Sequence, residues 1–184
     1  AQKYIVVDSE QIFRSISDYN IAMTTLDNLA KEYQAKVDEA YKDIESLYNS
    51  YMSQKQDLSA TARNAKEQEI LSREKAVAEY QESVFGNDGV MMKKRIELIQ
   101  PIQKRVFKAI EEYAESGGYD MVIDSAANAS MLYYSESVNH TQKIIELLKN
   151  YSSTLPDVSP QSKVEKNTVI KNPLELTISQ AKKE

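Results

Sequence analysis

The residues that could do chemistry are few and poorly spaced for it. His140 is the one histidine among 184 residues, and cysteine is absent. A single imidazole, without a thiolate and without a Glu-x-x-His pair, gives no basis for a structural transition-metal site. It gives a Ser-His-Asp arrangement little support either, although such triads are set in space rather than by spacing. The acidic pairs Glu111-Glu112 and Glu67/Glu69 point to different helix faces and read as solubilising charge. Gly86, Gly89, Gly117 and Gly118 lack the spacing of a phosphate-cradling loop. No catalytic, cofactor-binding or metal-binding set emerges, so neither an enzyme nor a bound cofactor is expected.

Two other residue classes offer contact rather than catalysis. Twelve tyrosines stand against no tryptophan. Tyr33, Tyr41, Tyr48 and Tyr51, with Met52, are candidates for contact with another polypeptide, because an amphipathic ring or a flexible thioether adapts to many partners. The bland alternative, that they widen helix packing, is the commoner role of aromatic residues at helical spacing. Lys93, Lys94 and Arg95, with Lys104, Arg105 and Lys108, could meet acidic segments or lipid headgroups. Glu97, Glu111 and Glu112 lie close in sequence and make a solvated face the simpler reading.

Composition narrows the classes further. Net charge is −5 with a pI of about 5.1, which disfavours general affinity for nucleic acid or anionic membrane. No apolar run approaches the roughly 18 residues that cross a bilayer, so stable membrane insertion is not expected. The start Ala1-Gln2-Lys3 fits a chain whose signal peptide has been removed, or a trimmed piece. Absence of cysteine is compatible with an oxidising compartment and does not prove one.

The elements that must position these side chains are mostly helical. Tyr4–Val7 is a β-branched strand, after which Asp8 or Ser9 caps a short helix through Ile12, Phe13 and Ile16. A long helix follows a second cap at Ser17 or Asp18. Its stripe of Leu26, Leu29, Tyr33, Val37, Ala40, Ile44, Leu47 and Tyr51 has the 3,4-spacing of a 3.6-residue period. Tyr41 and Tyr48 fall one step off that stripe. An uninterrupted run from Asp18 to Gln56 would reach roughly 55–60 Å at about 1.5 Å per residue.

Gln54–Thr61 reads as a tip, with Asp57 or Ser59 capping a returning helix whose seam is Ile70, Val77, Tyr80 and Val84. Gly86 and Gly89 flank a break and are hinge candidates. The helical pattern resumes at Met91 and runs to Tyr113, with a bend expected at Pro101 and a left-handed cap at Gly117-Gly118. Tyr119–Ile123 and Met131–Tyr134 are predicted strands, and Asn139 with Gln142 a capping box for a last helix. Beyond Tyr151 the prolines point to an irregular tail, with short extended segments at Thr168–Ile170 and Leu174–Ile178.

The fold class expected is therefore α+β and predominantly helical: a long antiparallel helical hairpin projecting from a small β-rich body. Residues 1–16 and 98–150 form the body, 17–97 the arm and 151–184 the tail. Short strands with open edges need partners. Sharing them among symmetric copies would bury Ile5, Val7, Val122 and Ile123, with Leu132 and Tyr133 from the third strand as further body candidates.

Several phrases carry a resemblance. Tyr4-Ile5-Val6-Val7-Asp8, Leu98 to Val106 with Ala109-Ile110, Gly118 to Asp124, Leu132-Tyr133 and Asn139-His140-Thr141 occur in the order found in the Skp/OmpH family of periplasmic chaperones for outer-membrane proteins. The chain resembles that family over residues 3–150. The resemblance implies a homotrimer whose helical arms enclose a cavity, an ATP-independent holdase action on unfolded outer-membrane proteins, and a periplasmic address. Familiar members are often strongly basic, whereas this chain is acidic. Electrostatic capture and lipopolysaccharide binding therefore do not carry over, and gripping would rest on apolar and aromatic contact.

Two competing classes stay open from sequence. A coiled-coil structural adaptor of the envelope would bind folded partners and ignore unfolded chains. A helical-bundle metalloenzyme is the weakest reading, and metal analysis of the purified chain distinguishes it.

Overall fold

The computed structural model describes residues 3–127 and 129–151, so the expectations for the tail beyond Tyr151 lie outside the described residues. The described chain is predominantly helical, with a two-stranded sheet. Strand β1 is Tyr4–Val7 and helix α1 is Ser9–Arg14. Helix α2 runs Ser17–Gln54, α3 Ala60–Phe85 and α4 Val90–Gly117. Strand β2 is Met121–Asp124 and helix α5 is Thr141–Tyr151. Contacts group the described residues into two compact units, 3–25 with 95–151 and 26–94.

Helix ends follow side-chain chemistry. Asp8 is the N-cap of α1, its carboxylate accepting the Gln11 N–H at 3.1 Å. Ser59 caps α3 in the same way, accepting from Ala62 at 3.1 Å, after a single 3₁₀ turn at Lys55–Asp57. Between α3 and α4, the Gly86 N–H donates to the Glu82 carbonyl at 2.8 Å and the Gly89 N–H to the Gly86 carbonyl at 3.0 Å. A Cβ at Gly89 would stand 2.6 Å from the Val84 carbonyl oxygen, so this turn requires glycine for close backbone approach. Helix α4 stays helical through Pro101. It stops at Gly118, whose φ of 65° is the left-handed conformation that a side chain resists.

In the unit of residues 26–94, Val37, Ile44 and Tyr51 of α2 share one core with Ile70, Val77, Tyr80 and Val84 of α3. Tyr33, Ala40, Leu47, Leu58 and Met91 flank it. The 3.6-residue stripe read from sequence is the buried line of both helices. The opposite faces of the same helices are wet, because two helices in contact cover only one stripe each.

In the other unit, β1 and β2 pair in parallel with Ile5 opposite Val122 and Val7 opposite Asp124. Alternation along the strands sends Ile5, Val7 and Val122 to one face, where they meet Ile12, Val106, Ala109, Ile144, Ile145 and Leu148. Ile12, Val106 and Ile144 are fully buried, each contributing about 1.5–3 kcal/mol by leaving water.

Two expectations need correction here. Met131–Tyr134 is not a strand. The position beside β1 opposite β2 is taken by Asn139 and His140: Val6 bridges Asn139, and the His140 N–H donates to the Val6 carbonyl at 2.9 Å. That leaves Leu132 and Tyr133 with 97% and 84% of their surface exposed. The second strand also begins later than expected. The Tyr119 N–H closes the end of α4 by donating to the Ala114 carbonyl at 2.9 Å, so pairing starts only at Met121.

Candidate functional site

The five candidate contact residues on α2 divide by face. Tyr33 is half-buried beside the α2–α3 core, with the Lys36 ammonium 5.6 Å from its ring centroid. Tyr51 is inside that core, and its hydroxyl donates to the Glu67 carboxylate. That hydrogen bond, followed by burial, holds the Tyr51 hydroxyl pKa above its ordinary value. Burial does the same for Tyr80, helped by the Tyr33 hydroxyl nearby. These phenols stay protonated at neutral pH and serve the packing between the helices.

Tyr41, Tyr48 and Met52 behave otherwise. They keep 44%, 49% and 47% of their surface exposed. Steps of seven and four residues align them on one face of α2, outside the core stripe. Leu71 and Phe85 of α3 are likewise exposed. Sequence reasoning passed over both, although their positions off the Ile70–Val77–Tyr80–Val84 line were a usable signal. Exposed rings and thioethers on a helix offer water-covered apolar area without a fixed shape, which suits many weak, nonspecific contacts.

The sheet unit presents a second surface. Tyr4 and Met121 are register partners, and both are exposed. With half-buried Ile123 and buried Val6 they form the face of the sheet opposite to that of Ile5, Val7 and Val122. Among the described residues β2 pairs with β1 on one side only. Of the six body candidates, Ile5 and Val7 are buried in this chain's own core and Val122 packs against it, while Ile123, Leu132 and Tyr133 retain surface.

Polar groups in this unit are used locally. The Asp124 carboxylate accepts from the Ser9 N–H at 3.1 Å, the Ser9 hydroxyl at 2.5 Å and the Ala126 N–H at 3.0 Å. Burial pushes its pKa up, but these donors, with the Ala127 N–H, together outweigh it and hold the carboxyl below its ordinary value. Arg105 is mostly buried and pairs with Asp18 at 3.6 Å beside a cavity of about 220 Å³ that Ser15 and Leu148 also line. Arg95 is exposed, and in the unit of residues 26–94 Lys93 is exposed and Lys94 half-buried. His140 is buried, and its Nδ1 lies 2.7 Å from the Tyr113 hydroxyl. Among the described residues, no three His, Cys, Asp or Glu side chains stand together as a metal site. No described helix is long and apolar enough to cross a membrane.

A family model described as outer membrane protein (OmpH-like) matches residues 3–148. No curated protein matches the chain.

Proposed function

Since the chain belongs to the OmpH-like family of outer-membrane-protein chaperones, we propose that it is an ATP-independent holdase for unfolded outer-membrane proteins in the periplasm. In this reading residues 17–97 are the gripping arm, an antiparallel helical hairpin, and residues 1–16 with 98–150 are the assembling body. Three copies enclose the client between their arms. The observation that carries the reading is the exposed line of Tyr41, Tyr48 and Met52 on a helix whose own core is complete without them.

Assembly has its own physical support. Among the described residues the outer edge of β2 is unpaired, and its open backbone groups are a template for a strand of another copy. The exposed apolar face of Tyr4 and Met121, together with Leu132 and Tyr133, is surface that another copy would cover. Gly86 and Gly89 serve as the hinge at which α3 changes its angle to α4. With net charge −5, capture rests on apolar and aromatic contact, and client affinity is expected to change little with salt.

The test is dilution of a urea-denatured β-barrel protein into buffer containing the purified chain and no nucleotide. Light scattering should fall toward zero once one trimer is present per client, and sedimentation should give three times the chain mass. Undiminished aggregation at excess chaperone, or binding restricted to folded partners, would reject the holdase reading.

A further inference from the structure

The single histidine sits where a charge is costly. His140 retains only 7% of its surface and is the last residue before α5. Its backbone N–H donates to the Val6 carbonyl at 2.9 Å and its carbonyl accepts from the Ile144 N–H at 3.2 Å, so it ties β1 to the first turn of α5. The imidazole meets Tyr113 and Tyr119 at steep angles, with ring centroids 5.7 and 5.3 Å away. Those two tyrosines stack on each other at 6.0 Å and pack against the core of Ile5, Val106 and Ile144. The cluster therefore joins α4, β1 and α5.

We propose that the Tyr113–Tyr119–His140 cluster is an acid-sensitive latch: with a neutral imidazole it fastens β1 and α5 to α4, and protonation loosens that fastening. The proposal stands independently of the chaperone reading. A neutral ring offers one donor and one acceptor. The nearby Ser137 carbonyl favours the protonated ring, and the Tyr113 hydroxyl lies 2.7 Å from Nδ1, which accepts from it when the neutral ring carries its proton on Nε2. A second proton makes Nδ1 a donor as well, and the Tyr113 hydroxyl must then turn to accept. The new cation also lies at the N-terminus of α5, where the helix dipole is positive.

The surroundings decide the sign. Burial opposes protonation most strongly, and repulsion from the Lys143 ammonium of α5 adds to it. The Ser137 carbonyl works the other way and is outweighed, so the His140 pKa lies below its ordinary value. From α4 and the connection after it come Tyr113 and Tyr119, both phenols. From β1 comes the Val6 carbonyl. The Glu136 carboxylate, just upstream, accepts from Asn139 Nδ2 at 3.5 Å. Because the folded pKa is depressed, the unfolded chain takes up the proton first, near pH 6.5. The stability from neutral His140 is complete above that pH and is lost as pH falls from there through the folded value.

An NMR titration of the imidazole in the full chain, from about pH 8 to about pH 4.5, reads the latch without any substitution. A midpoint below pH 6.5 is expected. A midpoint at or above it, as would follow if the tyrosine rings stabilised the cation, overturns the proposal. Urea unfolding near pH 7.5 and near pH 5 then compares the parent with His140→Gln. The parent should lose about tenfold more of its folding constant for each pH unit of depression. Equal losses in the two proteins overturn the latch. Tyr113→Phe removes the hydroxyl that steadies the neutral ring and should move the midpoint upward; a downward move overturns the assignment of Nδ1 as acceptor.

Discussion

Replacing Tyr41, Tyr48 and Met52 together by Ala should weaken client binding while leaving the fold intact. The two tyrosines keep 44% and 49% of their surface in water and the methionine 47%. A whole tyrosine offers about 150–250 Å², so each leaves roughly 70–120 Å² for a client to cover. At about 25 cal/mol/Å², complete coverage would contribute about 2–3 kcal/mol per side chain. A mobile client covers only part of this area and loses chain entropy in doing so, leaving about 1 kcal/mol for each of the three. The triple variant should therefore bind at least roughly 100-fold more weakly, as the loss of about 3 kcal/mol from a single arm implies. Fluorescence titration of a urea-diluted β-barrel polypeptide measures the change, at low and high salt. Thermal unfolding should be unchanged, because none of the three belongs to the α2–α3 core. An affinity within about threefold of the parent, with an unaltered fold, would refute the assignment of this face to client contact.

Three further expectations concern the scaffold. Ile144→Ala empties a fully buried site shared by α5 and the sheet, and should cost about 2–5 kcal/mol in chemical denaturation. Gly118→Ala forces a side chain into φ 65° at the end of α4, where a Cβ would meet nothing within 4 Å. Strain alone acts there, and the unfolding free energy should drop by about 1–2 kcal/mol. Ser9→Ala removes a hydroxyl donor from Asp124, so the Asp124 titration followed by carbon NMR should move upward. The folded Asp124 pKa is depressed, so its stabilisation is present above the ordinary value near pH 3.8 and lost as pH falls below it. The Ser9→Ala protein should show a shallower acid loss in that range.

The local features of this chain were legible because their causes are local. Asp8 and Ser59 as caps, the break before Val90 and the left-handed Gly118 follow from side chains acting on backbone within a turn. The seam of Ile70, Val77, Tyr80 and Val84 follows from the 3.6-residue period, and all four are buried. The same period set Tyr41 and Tyr48 off the stripe and Tyr33 and Tyr51 on it. The family likeness was legible too, from short phrases in order over most of the chain.

What the residues did not reveal depends on partners far away in the chain. β-branched composition marks a segment able to pair, but pairing is decided by which edge is still open. Asn139 and His140 occupy the site beside β1, so Met131–Tyr134 is left without a ladder although its composition favours one. His140 read from sequence as a solitary group of little consequence. Only the packing of α4, β1 and α5 surrounds it with two phenols and removes it from water. Periodicity tells each face that it will be covered or wet; tertiary structure alone chooses what covers it, because the strands of the sheet meet from more than a hundred positions apart and His140 meets Tyr113 across 27.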